Sequence, residues 1–333
     1  MTFPTIYSTL DPSALAAFIT SQYELGDCQC RLIQRGVGDT YLVSTKTKKF
    51  ITRIYRHDQR TIGHIQSEVE LLNVLRESSV SVSYPIADRG NQYIQTLEAA
   101  EGKRHAVLFS YAKGESAITL SDARLKALGA EIARFHNISS MTTLSGERWT
   151  FDVSTTLIEP INNTRHLFED IGDEMTWWIS ASGQAKEYLE SISSSRFSIG
   201  YCHYDLLPKN FHFNGDDITL FDFDFFGKGW LVNDLMTFWT QLTLDVQFNR
   251  MSQGEADRSF GLLLDSYRQH RSISNEELRA IPSLAMGWWC FYMGFHASHD
   301  QFLAFVQPAH LKMRTALIRQ LVERNAKWAD QFC

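Results

Sequence analysis

Residues 202–227 read CHYDLLPKNFHFNGDDITLFDFDFFG. His203 and Asp205 stand one residue apart, Asn210 follows five residues after Asp205, and Asp222 and Asp224 sit inside an apolar run. Charge placed among apolar residues is costly unless something positive receives it. The string His203-x-Asp205-x-x-x-x-Asn210, followed by Leu220-Phe221-Asp222-Phe223, supplies what phosphoryl transfer from ATP asks of a protein: a carboxylate at the acceptor hydroxyl and oxygen ligands for Mg²⁺. In that chemistry Asp205 orients the hydroxyl and accepts its proton, while Asn210 and Asp222 coordinate the metal. Asp222 has no cation close to it in sequence, so Mg²⁺–ATP is the expected partner of its charge.

These loops resemble the catalytic and metal-binding loops of the aminoglycoside phosphotransferase superfamily, which also includes choline kinases, type II homoserine kinases and a bacterial stress-response kinase. The superfamily's HxDxxxxN motif falls on His203, Asp205 and Asn210, with Pro208 where a Pro often precedes the Asn. Its apolar-apolar-Asp-aromatic metal loop falls on residues 220–223, and Asp224 resembles the second Asp of members that read DFD. Its DLA segment falls on Asp234-Leu235-Met236, which implies that Asp234 braces the catalytic loop from behind and that His203 packs within that loop.

The resemblance extends over nearly the whole chain. Gly36, Gly38, Thr40 and Val43 fall where a phosphate-covering loop belongs, and glycines there let backbone N–H groups approach phosphate. Tyr41 stands where protein kinases carry a third Gly. Arg53 falls at the place of the kinase Lys and Glu68 at that of its partner carboxylate, a change that alters geometry and keeps charge. Phe109, Ser110 and Tyr111 fall on the hinge, whose backbone would meet adenine. The resemblance implies ATP and Mg²⁺ as cofactors and a hydroxyl-bearing acceptor: first a small amino alcohol, amino acid or aminoglycoside. A protein Ser/Thr acceptor and a nucleotide-binding scaffold without catalysis are the alternative readings.

The elements that must position these residues follow from periodicity. Residues 28–36, 40–45 and 49–56 are β-branched and aromatic between turn residues, and residues 93–100 and 105–112 read as two more strands. Ile65, Val69, Leu72 and Leu75 recur at helical spacing over residues 62–76. After residue 115 the pattern turns helical, beginning with residues 121–138 capped by Ser121 or Asp122, with short strands at 199–202, 211–213 and 218–221. The expectation is an α+β, bilobal, protein-kinase-like fold: a small N-terminal lobe (1–109) of five antiparallel strands and a helix, a hinge (110–115), and a larger, mostly helical C-terminal lobe (116–333) with a cleft between.

Composition bounds the rest. The 333 residues suit two lobes, and 44% hydrophobic with 21% charged residues reads as a soluble globule. A net charge of −6 gives no reason to expect nucleic-acid binding, and no apolar run is long enough to span a membrane. No secretory signal is evident, and the odd set Cys28, Cys30, Cys202, Cys290 and Cys333 reads as reduced thiols in a cytoplasmic protein. Oligomeric state is not legible. Four further groups read as structure: His296-x-x-His299-Asp300 as a helix surface, Cys28-x-Cys30 as a strand face, residues 287–295 as aromatic helix core, and Asp170, Asp173 and Glu174 as a solvated helix start.

Overall fold

The computed structural model of the chain describes residues 3–57, 59–117, 119–192, 196–325 and 328–332; Cys333 lies outside them. The chain divides into two units. The first holds the chain up to Gly114 together with Thr143–Arg148 and Thr219–Asp222, and the second holds the remainder.

The first unit is built on helices α1 (Pro12–Gln22) and α2 (Ile62–Glu77) and strands β1 (Gln29–Arg35), β2 (Gly38–Ser44), β3 (Lys49–Tyr55), β4 (Ile94–Ala99) and β5 (Gly102–Ser110). The strands form one antiparallel sheet in the order β1-β2-β3-β5-β4, the expected five. Period-2 alternation decides its two faces. Tyr41, Val43, Phe50, Ile54 and Leu108 point to a core shared with Leu15 and Ile19 of α1. Arg53 lies on the other face, paired across strands with Thr40. The helix α1 was not anticipated: its six apolar residues, Ala14 to Ile19, run consecutively and show no helical spacing. Its start is set by Asp11, whose side chain accepts the N–H of Ala14 at 2.8 Å, with Pro at the first helical position.

The second unit is mostly helical. Its helices are α3 (Asp122–Ser139), α4 (Glu159–Thr164), α5 (Gly172–Ser191), α6 (Val232–Gln247), α7 (Gln253–Arg268), α8 (Asn275–Ala297) and α9 (Pro308–Asn325). Ser121 is the cap of α3, its hydroxyl accepting the Arg124 N–H. Strands β6 (Trp149–Phe151), β7 (Ile199–Cys202) and β10 (Gly227–Trp230) form a small sheet ordered β6-β10-β7. Residues Phe211–Asn214 (β8) and Asp217–Leu220 (β9) make a hairpin, and the chain passes into the first unit within β9. Strands β6 and β10 were not read from sequence: β6 is three residues long, and β10, Gly-Lys-Gly-Trp, has two glycines in four residues and so no strand pattern. Gly227 sits in β10 because a Cβ there would lie 2.6 Å from the Trp149 carbonyl oxygen.

Candidate active site

The loop after β7 is held from behind by the first turn of α6. Asp234 is fully buried, and its carboxylate accepts the backbone N–H of His203 at 2.9 Å and of Tyr204 at 2.7 Å. Its third donor is His136 Nε2 on α3, at 3.0 Å, and His136 Nδ1 faces the Tyr267 hydroxyl at 3.0 Å. Burial, opposed by the Asp234 carboxylate, holds the His136 pKa below its ordinary value. A neutral imidazole donating to Asp234 and accepting from Tyr267 satisfies every partner in this network. Tyr204 is pinned at φ +63°, a strained conformation for a bulky residue, by stacking on Phe151 (3.6 Å between centroids) and by the Trp288 indole N–H on its carbonyl (3.1 Å).

That strained turn presents Asp205. The side-chain amide of Asn210 donates to the Asp205 carbonyl at 2.7 Å and to Asp205 Oδ2 at 2.8 Å, and Lys209 Nζ lies 2.8 Å from the same oxygen. Asp205 Oδ1 is buried with no hydrogen-bond partner. His203 is buried, its Nδ1 accepting the Asp205 N–H at 3.3 Å and its ring packed on Phe223. Asp224 is buried in the 3₁₀ turn Phe223–Phe225. Lys209 is the residue that the sequence reading missed. Its signal was the i, i+4 spacing from Asp205, which only the Pro208–Asn210 3₁₀ turn converts into contact.

In the first unit Arg53 is the hub. Its Nη1 is 3.3 Å from Glu68 Oε1 on α2, and the Tyr55 hydroxyl donates to Glu68 Oε2 at 2.9 Å. Its Nη2 pairs with Asp222 Oδ1. This corrects one expectation: Asp222 does have a cationic partner, brought from 169 residues away in sequence. Asp222 is also not buried, its side chain being 39% exposed, and its backbone is held at φ +64°. Thr40 and Leu42 share the face of Arg53, whereas Val43 lies on the opposite face in the α1 core. Gly38 approaches the neighbouring strand so closely that a Cβ would sit 2.9 Å from the Ile54 carbonyl oxygen, and Gly36 N–H donates to the Gly38 carbonyl. At the end of β5 the Ser110 N–H donates to the Tyr84 carbonyl at 2.8 Å and the Ser110 carbonyl accepts from the Ser83 hydroxyl at 2.6 Å, so both backbone groups are engaged. Phe109 is buried, and Tyr111 lies one residue beyond the end of β5. Strand β2, one residue past Gly38, holds a second ion pair that the sequence reading missed: Asp39 and Arg104, both fully buried, at 2.8 Å.

The remaining groups are structural in their contacts. Among the described residues no three His, Cys, Asp or Glu side chains come close enough to hold a metal. His299 Nδ1 bonds the Phe295 carbonyl at 2.8 Å. Asp173 and Glu174 lie in the first turn of α5, Asp170 just ahead of it. Residues 287–295 belong to α8, where Phe291 packs edge-on against Phe151 and Tyr204 beneath the Asp205 turn. A cavity of about 230 Å³ lined by Trp239, Met286 and Trp289 opens among α5, α6, α8 and α9 and takes in none of the motif residues. No helix among the described residues is long and apolar enough to cross a membrane.

Comparison with known proteins bears on this geometry. The model of the phosphotransferase enzyme family matches residues 29–268. An uncharacterized protein of Synechocystis sp. is 35% identical over 239 residues, 71% of this chain and 66% of that protein, so the match spans just under two thirds of its length. A homoserine kinase of Rhodopseudomonas palustris is 27% identical over 296 residues, covering 85% of this chain and 83% of the enzyme. Among solved structures, a microcompartment-associated aminopropanol kinase superposes with a TM-score of 0.73 at 22% identity, covering 94% of this chain and 98% of its own, which establishes a shared fold.

Proposed function

The chain belongs to the phosphotransferase enzyme family and is an ATP-dependent phosphotransferase, and from that premise we propose that it moves the γ-phosphate of Mg²⁺–ATP to a hydroxyl of a small molecule of the amino alcohol, amino acid or aminoglycoside type. The observation that carries this reading is the state of Asp205. Its Oδ2 is tied to Asn210 and Lys209, while Oδ1 is buried and unpartnered. A hydroxyl group that donates its proton is what such an oxygen lacks. Asp205 is therefore the residue that orients the acceptor and takes its proton.

The other roles follow from the chemistry of each group. Asn210 spends its amide N–H groups on Asp205, which leaves its carbonyl oxygen to offer, and Asp222 offers an exposed carboxylate. Hard oxygen donors of this kind suit Mg²⁺, which when bound neutralises charge on the phosphates. Arg53, steadied by Glu68, would exchange Asp222 for phosphate oxygens; the Gly36–Gly38 turn and Thr40 would cover the phosphates, and Tyr111 with Phe109 and Ser110 would flank adenine. Asp234, His203 and Asp224 support the loops. In this assignment residues 1–109 bind nucleotide, 110–115 are the hinge and 116–333 carry the acceptor. Two relatives, one named homoserine kinase and the other aminopropanol kinase, bear names of hydroxyl-bearing amino compounds, which favours this acceptor class.

The test is ADP release from Mg²⁺–ATP with homoserine, 3-aminopropan-1-ol, an aminoglycoside and a Ser/Thr peptide as acceptors. A small-molecule acceptor should raise release above background hydrolysis, and Asp205→Asn should abolish the increase. Stimulation by the peptide alone, or equal stimulation in Asp205→Asn, rejects the reading.

A further inference from the structure

Arg314, on α9, carries a largely buried positive charge that no acid meets among the described residues. Its Nη2 donates to His296 Nδ1 on α8 at 2.7 Å, and its Nη1 is buried without a hydrogen-bond partner. Burial pushes its pKa down, to about 10. The surroundings are cationic or aromatic. His296 is pushed down to about 3 by burial and then by the charges of Arg314, His299, His310 and Lys209. Its ring packs against Phe302 and Phe305 at 5.0 and 5.2 Å. A buried charge without a counter-charge is among the costliest groups a fold can keep, and one that persists calls for a partner absent from the chain itself.

We propose that Arg314 receives a carboxylate of the phosphoryl acceptor, so that the acceptor is a hydroxy acid or hydroxy amino acid and not a simple amino alcohol. The proposal rests on the phosphotransfer reading above and narrows its acceptor class. Position supports it. Trp288 of α8 bonds the carbonyl of Tyr204, next to Asp205, and the same helix carries His296, the partner of Arg314, so one helix of the second unit links the motif turn to the Arg314 group. A guanidinium offers parallel N–H donors that match a carboxylate, and the apolar rings of Phe302 and Phe305 strengthen the pairing by excluding water.

The test uses the full chain, titrated calorimetrically with 4-hydroxybutanoate, its neutral amide 4-hydroxybutanamide, and inorganic phosphate. The acid should bind at least about tenfold more tightly than the amide, the scale of a charge-assisted hydrogen bond. Arg314→Met should erase that preference and Arg314→Lys should keep part of it. Equal binding of acid and amide, no binding of the acid, a preference that survives Arg314→Met, or phosphate binding more tightly than the acid each overturns the proposal. Turnover gives a second arm, since homoserine and 3-aminopropan-1-ol differ only by the carboxylate. Homoserine should have the higher kcat/KM, and Arg314→Met should remove the advantage through KM; a wild-type preference for the amino alcohol overturns the proposal. Carboxylate selectivity that depends on Arg314, without ADP release from any acceptor, would uphold the anion site while refuting the phosphotransfer reading.

Discussion

Asp205 and Asp222 are carboxylates of one motif set, yet their surroundings divide the work between them. Asp205 is buried, with one oxygen tied to Asn210 and Lys209 and the other unpartnered. In the proposed role its interactions are concentrated where the hydroxyl reacts, and its loss should fall on turnover. Asp205→Asn should lower kcat by about 10²–10⁴-fold, the contribution of general-base assistance, with nucleotide affinity little changed in a direct titration. Asp222 faces Arg53 instead. Asp222→Asn should weaken Mg²⁺–ATP binding as well as turnover, and the contrast between the two variants separates the roles. Arg53 is also structural, since it neutralises Glu68, which is 1% exposed. Arg53→Ala should cost about 1–3 kcal/mol in urea unfolding by leaving that carboxylate with the Tyr55 hydroxyl. An unchanged unfolding midpoint would show that solvent replaces the guanidinium at no cost.

At the scale of elements, the site depends on how closely α3 and α7 approach. A Cβ on Gly129 would lie 2.2 Å from the Leu263 carbonyl oxygen, so a Gly at this position of α3 is a condition of the packing. α3 carries His136, which holds Asp234, which in turn holds the two N–H groups of the strained turn. Gly129→Ala should therefore cost about 1–3 kcal/mol through forced separation of the helices. It should also reduce turnover, because the spacing of His136 shifts with α3. Asp234→Ala should do more, orphaning the N–H groups of His203 and Tyr204 at about 1–3 kcal/mol each. Thermal melts together with kcat per folded molecule decide between these and a purely local effect. Full turnover in soluble, folded Asp234→Ala would show that the turn needs no brace.

For the molecule as a whole, pH and ligand set stability. His136 is fully buried and its pKa is held below the ordinary 6.5, chiefly by burial; His296 is pushed down to about 3, again chiefly by burial. Below about pH 6.5 the unfolded chain takes up protons on these imidazoles that the folded chain refuses. Stability is thus full above 6.5 and lost as pH falls through it, with a slope approaching about 1.4 kcal/mol per pH unit for a fully buried imidazole such as His136. Urea midpoints should fall between pH 7 and pH 5.5, and His136→Asn should flatten that fall; an identical slope in the variant would place the acid sensitivity elsewhere. Mg²⁺–ATP binds only the folded chain in this scheme, so saturating nucleotide should raise the melting temperature, and more with Mg²⁺ than without it.

Local pattern was enough for the class of fold and for the choice of residues proposed as the core of the site. Alternation and helical spacing over residues 28–112 determined a five-stranded sheet with α2, and the spacing of His203, Asp205, Asn210 and Asp222 pointed to the chemistry proposed here, because those residue types are few and their order along the chain carries the information. Strands β6 and β10 were beyond it, since their pairing is set by neighbours far away and by glycines whose use is to admit a backbone. So were the ion pairs. Arg53 and Asp222 are 169 residues apart, Asp39 and Arg104 65, and nothing in a one-dimensional pattern assigns a buried charge its distant partner. The same holds for Arg314. In sequence it is one arginine on an amphipathic helix, and only packing of α9 against α8 withdraws its guanidinium from water and leaves it without an acid among the described residues.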